Sequence, residues 1–269
     1  MPVFWFALGF AGQIHVLPTV LAFILIHLFL YPSSNGYNSY MDRDEGSIGG
    51  IEFPLQPTRQ LYYVTIFLDI TGFLLSFCIS VGFAAGFLVY IIFSRLYSYR
   101  KVRLKKYPVI GYLIVILNQG ALIFAIVFMA ATQSQIEEIP LLPMIASSFL
   151  IGGFYPITQI YQHESDKKDG VTTISMLLGK RGSFLFCGGM YSVALLLLFF
   201  SYRNANMLTG FFILMMFFVP VFVLFLNWMK DVWKDESAAN FKNTMRLNIR
   251  AAIATNLAFI IIFFIYHFD

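Results

Sequence analysis

Residues 18–34, "PTVLAFILIHLFLYPSS", are almost wholly apolar, and they lead directly into "NSYMDRDEG" at 38–46. An α-helix crosses the hydrocarbon of a bilayer in about 20 residues. In lipid every backbone N–H and C=O must be paired within its own segment, so such a run reads as a spanning helix. Three carboxylates, Asp42, Asp44 and Glu45, then stand at the mouth of a membrane span, where charge is costly unless it has a purpose.

The same length criterion applied along the chain predicts spans at about 15–34, 61–79, 80–98, 109–131, 139–160, 183–202, 208–229 and 249–267. The run 61–98 is too long for one crossing and is divided near residues 80–82 on length alone. A stub at 2–11 is too short to cross; it reads as the second half of a first helix whose true start lies upstream. The expected fold is all-α: an integral membrane bundle of eight full spans plus a partial first helix. Composition agrees, with 59% hydrophobic and 12% charged residues and a mean hydropathy of +0.75. A soluble domain carries about 25% charged residues. Cys78 and Cys187 both fall inside apolar runs and read as packing residues. No basic segment precedes "MPVFWFALGF", so no cleavable signal peptide is expected.

Alternating the spans puts the segments after 34, 98, 160 and 229 on one side. Every one of the 18 Lys and Arg except Arg203 then falls on that side or at the helix ends facing it. Such a bias marks the cytoplasmic face. No boundary separates soluble domains, so residues 1–269 read as one membrane domain with cytoplasmic motif loops at about 35–60 and 161–182. The basic residues belong to a membrane face, and no nucleic-acid partner is expected.

A second acidic segment, "QHESDKKDG" at 162–170, carries Glu164, Asp166 and Asp169 and lies on that same side. If the helices continue past the membrane edge, Asp42 and Glu45 share a face, as do Asp166 and Asp169. Asn38 and Gln162 each stand four residues before an aspartate. Clustered carboxylates repel unless a cation sits between them. Oxygen-rich sets with an incomplete shell suit Mg²⁺, which keeps waters and is shared with substrate phosphates. Arg59, Lys101, Lys105 and Lys168 lie near enough in sequence to contact phosphate oxygens. Metal-binding carboxylates, cations and a greasy bundle together describe a site for a diphosphate with a lipophilic tail.

These residues resemble the UbiA superfamily of intramembrane prenyltransferases. The family pattern has Asn-Asp-x-x-Asp-x-x-x-Asp after the second helix and Asp-x-x-x-Asp after the sixth, trailed by Gly-x-x-Thr-Leu and Leu-Gly. Asn38 and Asp42 match the first motif and Asp166 the second; "GVTTISMLLG" supplies Gly170, Thr173, Ile174 in place of Leu, and Leu178-Gly179. Arg59 in "PTRQL" matches the arginine that follows the first motif. Ser39, Gly46 and Gln162 stand where the family pattern has aspartates.

The resemblance implies a UbiA-like nine-helix arrangement and transfer of a prenyl group from a prenyl diphosphate to a lipophilic, often aromatic, acceptor. Asp42 and Asp166 are the expected catalytic and metal-binding residues, with Asp44, Glu45, Glu164 and Asp169 as further metal ligands. Asn38, Arg59, Lys101, Lys105, Tyr155, Tyr161, Gln162 and Lys168 are the expected substrate contacts. Expected partners are the donor, an acceptor the sequence does not identify, and membrane lipids. A non-catalytic transporter or lipid-binding protein on the same fold, and a diphosphate-cleaving synthase or hydrolase, are the alternatives. Asp69, within a span, is a candidate cavity or base residue, or a helix-bridging one. Asn118 and Gln119, mid-span amides, are expected to bridge helices or line the pocket. His163 is the one histidine inside an acidic cluster.

Overall fold

The computed structural model describes residues 2–43, 46–47 and 50–268. Its regular structure is helical: α1 (Pro2–Gly9), α2 (Val16–Asp42), α3 (Arg59–Ser76), α4 (Val81–Ser98), α5 (Pro108–Thr132), α6 (Leu141–Gln159), the short α7 (His163–Lys168), α8 (Ile174–Asn204), α9 (Leu208–Lys234) and α10 (Phe241–Phe268). Seven of these, α2, α4, α5, α6, α8, α9 and α10, are long and apolar enough to cross a membrane. The expected eighth span is α3; it has the length, but Arg59, Gln60 and Asp69 lower its hydropathy. The protein is an all-α integral membrane protein.

Local chemistry sets the boundaries. The 61–98 run breaks near the expected place: α3 stops at Ser76, and the Ser80 hydroxyl caps α4 by accepting from the Phe83 amide at 3.0 Å. α2 ends at Asp42 because Arg43 turns left-handed (φ 55°), and the Arg100 side chain takes over the freed carbonyls of Met41 (2.6 Å) and Asp42 (3.2 Å). Glu45, expected to share a face with Asp42, lies outside the described residues. α8 begins nine residues before the expected 183: Thr173 caps it by accepting from the Met176 amide at 3.3 Å. Gly179, at φ 70° and ψ 171°, is non-helical and interrupts it at a kink, so a short helix from Ile174 precedes the long one that runs on to Asn204.

Lipid tails are as apolar as leucine, so the helices associate through close packing and polar links, not hydrophobic exclusion. α6 packs along α8, where Gly153 brings its backbone against the Tyr191 ring and Gly152 against Met190 and Tyr112. α9 pairs with α10, and α2 lies against α3 and α5. The stub α1 is no surface fragment. Phe4, Phe6, Ala7 and Leu8 are buried, and α1 plugs one end of the bundle between α5 and α10. The acidic and basic segments collect at the opposite end. There Arg100 reaches α2, Arg103 reaches Asp169, and Lys180 donates to the Glu236 carbonyl at 3.1 Å.

Candidate active site

At that charged end, α2, α4, α5 and α6 surround a cavity of about 330 Å³, which α7, the loop before α5 and Met245 and Asn248 of α10 also line. Asn38 and Asp42 reach it from α2 because four residues bring two side chains to one helix face. Gln162, Ser165, Asp166 and Asp169 reach it together, at helical spacings of three, four and seven. Glu164 and Lys168, four apart on the opposite side of α7, are exposed and do not line it. Both were expected at the site, and helical periodicity turns them away.

The charges interlock. Asp42 is 7% exposed. One carboxylate oxygen pairs closely with Lys105 Nζ, and the other lies 3.4 Å from Arg103 Nη2. The Arg103 fork also donates to the Asp169 carbonyl at 2.9 Å and to the Asp169 carboxylate. Burial works against the Arg103 charge, but Asp169 and Asp42 outweigh it and hold its pKa above the usual guanidinium value. Arg103 lies at φ 46°, a left-handed turn that swings its side chain inward. Lys101, two residues earlier, is exposed and misses the cavity. Arg59 misses it too, exposed at the start of α3. Asp44 and Glu45 lie outside the described residues.

The neutral candidates are engaged as well. Ser98 donates to Asn38 Oδ1 at 2.7 Å, and Gln162 Nε2 donates to the Ser47 carbonyl at 3.3 Å. The Tyr155 hydroxyl lies 2.5 Å from that of Tyr97 and accepts from Gln159 Nε2 at 3.0 Å. Tyr155, Tyr97 and Tyr161 all line the cavity, and Tyr161 packs edge-on against Phe241. His163 stands apart, its Nε2 2.8 Å from Ser175 Oγ. Asp69 is also outside the cavity wall, paired with Arg95. Sequence reasoning missed Arg103. The run "RKVRLKK" advertised cations there, but which of them turns inward depends on one backbone torsion.

The carboxylates fit a shared Mg²⁺ and not an all-protein cage. Among the described residues no three His, Cys, Asp or Glu side chains are gathered closely enough to hold an ion alone. Asp42, Asp166 and Asp169 nonetheless face one cavity, and one or two carboxylates completed by phosphate oxygens and water are the usual Mg²⁺ arrangement.

These features define a polytopic helical membrane protein with a charged cavity at one end of its bundle. The profile of the UbiA prenyltransferase family matches residues 1–250, and the chain belongs to that family. A UbiA homologue from Archaeoglobus fulgidus bound to DMAPP and Mg²⁺ superposes with a TM-score of 0.71 at 20% identity, over 98% of this chain and 93% of that one. A UbiA homologue from Aeropyrum pernix K1, in its apo state, gives 0.69 at 15% identity over 97% of each chain. A digeranylgeranylglyceryl phosphate synthase gives 0.63 at 21% identity, over 97% of this chain and 90% of that one. At these identities the likeness is one of fold. No curated protein matches the chain in sequence.

Proposed function

We propose that this protein transfers a prenyl group from a prenyl diphosphate to a lipophilic acceptor inside the membrane, with its charged cavity facing the cytoplasm. One observation carries the reading: Asp42, Asp166 and Asp169, from two distant segments, converge with Lys105 on a single cavity, and Arg103, outside its lining, pairs with Asp42 and Asp169 from behind. Supporting it, the Archaeoglobus homologue holds DMAPP and Mg²⁺ on the same fold. The placement of all but one of the 18 Lys and Arg supports the cytoplasmic orientation.

In this reading Lys105 holds diphosphate oxygens, Asp42, Asp166 and Asp169 would hold Mg²⁺, and Arg103 positions Asp42 and Asp169 from behind. When bound, the metal neutralises charge developing on the departing diphosphate. As the allylic C–O bond breaks, Lys105 at the cavity wall and Arg103 behind the carboxylates oppose the same charge. The allylic fragment carries positive charge until the acceptor attacks and loses its proton. Tyr90, Tyr97 and Tyr155 line the cavity, and an aromatic ring beside a cation stabilises it by about 0.5–2 kcal/mol.

A second reading, donor binding without catalysis, draws on the ion pairs that already neutralise Asp42 and Asp169 and on Ser39, Gly46 and Gln162 in the motifs. The first test is thermal unfolding of detergent-purified protein with dimethylallyl thiolodiphosphate, a hydrolysis-resistant donor analogue, in Mg²⁺ and in chelator. Ligand at 100 times its Kd stabilises by about 2.7 kcal/mol. A Mg²⁺-dependent upshift lost in Asp42→Asn and Asp166→Asn is expected; no upshift with wild type overturns the proposal. Product formation from dimethylallyl diphosphate separates transfer from binding alone.

A further inference from the structure

The cavity has two chemically distinct ends. Its charged wall residues, Asp42, Lys105, Asp166 and Asp169, all belong to helix ends or loops at the mouth. Deeper, the lining polar groups are uncharged: Ser34, Tyr90, Ser94 and Asn118. Ser34 precedes Asp42 by eight residues on one helix, about 12 Å at 1.5 Å per residue. Asn118 lies ten residues inside α5, about 15 Å from its start.

Asn118 is placed there by a specific backbone device. Residues Leu117–Leu122 form a π-helical bulge within α5. Such bulges release an amide from the regular ladder and are frequent at functional sites. Here the Ala121 N–H is taken up by Ser148 Oγ of α6 at 3.0 Å. Gly120 lets the two backbones approach: a Cβ there would lie 2.5 Å from Ser148 Cα. Asn118 is only 7% exposed, faces the cavity, and its amide makes no side-chain hydrogen bond among the described residues. Beside the same cavity, Gln159 Oε1 is buried without a partner among the described residues. An unpaired buried polar group costs about 1–3 kcal/mol, so a wall that keeps Gln159 Oε1 unpaired beside the Asn118 amide is built to meet a polar ligand. The Ser34 and Ser94 hydroxyls, 2.7 Å apart, bond to each other, and a hydroxyl keeps capacity to accept a further hydrogen bond.

We propose that Asn118, Ser94 and Ser34 form an uncharged hydrogen-bonding floor that recognises the acceptor through a neutral hydroxyl or carbonyl, and that excludes acceptors carrying an anion there. The inference rests on the prenyl-transfer reading and names the acceptor class for it. The exclusion follows from charge. The nearest cation in sequence, Arg95, follows Ser94 on α4, but it is spent on Asp69, Ser33 and Thr65 and does not line the cavity. A carboxylate at the floor would be desolvated with no cation to meet it.

The test uses three ring probes of similar size, 1-naphthol, 1-naphthoate and 1-methylnaphthalene, titrated into wild-type protein in detergent with dimethylallyl thiolodiphosphate and Mg²⁺. Expected is binding of 1-naphthol at least about tenfold tighter than of either other probe, equivalent to about 1.4 kcal/mol. Asn118→Leu and, separately, Ser94→Ala should erode that preference while leaving the donor-analogue upshift in place. Equal or tighter binding of 1-naphthoate, or a preference untouched by both substitutions, overturns the floor. The wild-type comparison stands even if a variant fails to fold. A naphthol preference without any donor upshift sinks the prenyl-transfer reading alone; a donor upshift without the preference sinks the floor alone.

Discussion

Arg95 and Asp69 form a forked ion pair inside the helical bundle, with the Arg95 guanidinium carbon also lying 3.9 Å from the centre of the Tyr37 ring. The fork ties three helices together. Arg95 on α4 donates to Asp69 of α3 and, at 2.8 Å, to Ser33 of α2, while Ser33 donates to Asp69 at 2.5 Å. The pair is partly buried, and removing one partner strands the other charge at a cost that reaches about 3–5 kcal/mol for a fully buried pair, whereas replacing both with apolar residues is often close to neutral. Asp69→Leu and Arg95→Leu should each destabilise, by up to that amount, in reversible unfolding from mixed micelles. The double variant should recover more than half of the loss. Additive losses would show that the two side chains do not act as a pair.

Arg103 and Lys101 are two residues apart in one basic run, yet only Arg103 is buried against carboxylates. Charge-assisted forks are about twice as strong as neutral hydrogen bonds, and lysine does not reproduce their geometry. Arg103→Lys should weaken binding of dimethylallyl thiolodiphosphate about tenfold or more, while Lys101→Ala and Lys168→Ala stay within about twofold. Equilibrium titration in detergent reads the difference. A larger loss at Lys101 than at Arg103 would move the donor site out of this cavity.

The helices were legible because length and apolarity suffice to mark a segment that must satisfy its own backbone in lipid. Asn38, Asp42, Asp166 and Asp169 were legible as helix-spaced polar residues at span ends, and all four line the cavity. Their partners were not. The side taken by Arg103 is set by a left-handed turn at φ 46°, and nothing in "RKVRLKK" distinguishes it from its neighbours. Asp69 reads as a lone intramembrane acid until packing brings up Arg95, 26 residues later. The expected span at 183–202 falls in the long part of α8; the short helical stretch before it was not legible, since the non-helical torsions of Gly179 separate the two at a kink.

His163 links the second acidic segment to α8 through Ser175, whose hydroxyl lies 3.0 Å from that of Ser183. Burial lowers the His163 pKa below the ordinary 6.5, and Lys180 lowers it further. The unfolded chain therefore binds this proton more readily than the folded one. The associated stability is complete above pH 6.5 and is lost as pH falls towards the folded value. Wild-type melting temperature should drop between pH 7 and pH 5 more than that of His163→Gln. Parallel curves for the two proteins would rule out His163 as the titrating group.

Gly120 and Ser148 are the points where the α5 bulge is fastened, and they fail in different ways. A methyl group at Gly120 would meet Ser148 backbone atoms at 2.5 and 2.6 Å, and backbone does not yield as a flexible side-chain tip does. Gly120→Ala should cost about 1–3 kcal/mol through overpacking. Ser148→Ala leaves the space unchanged but orphans the Ala121 amide, which should cost about 1–3 kcal/mol by lost hydrogen bonding. Gly82 supplies the control: a Cβ there meets only Met129 Sδ and Ser80 Oγ at 3.6 Å and beyond, so Gly82→Ala should stay within about 0.5 kcal/mol. Since both Gly120→Ala and Ser148→Ala disturb the segment that carries Asn118, each should also reduce the preference for 1-naphthol over 1-methylnaphthalene. Gly82→Ala should not. A stability loss at Gly120 with the probe preference intact would mean that the bulge serves packing only and that Asn118 reaches the cavity without it.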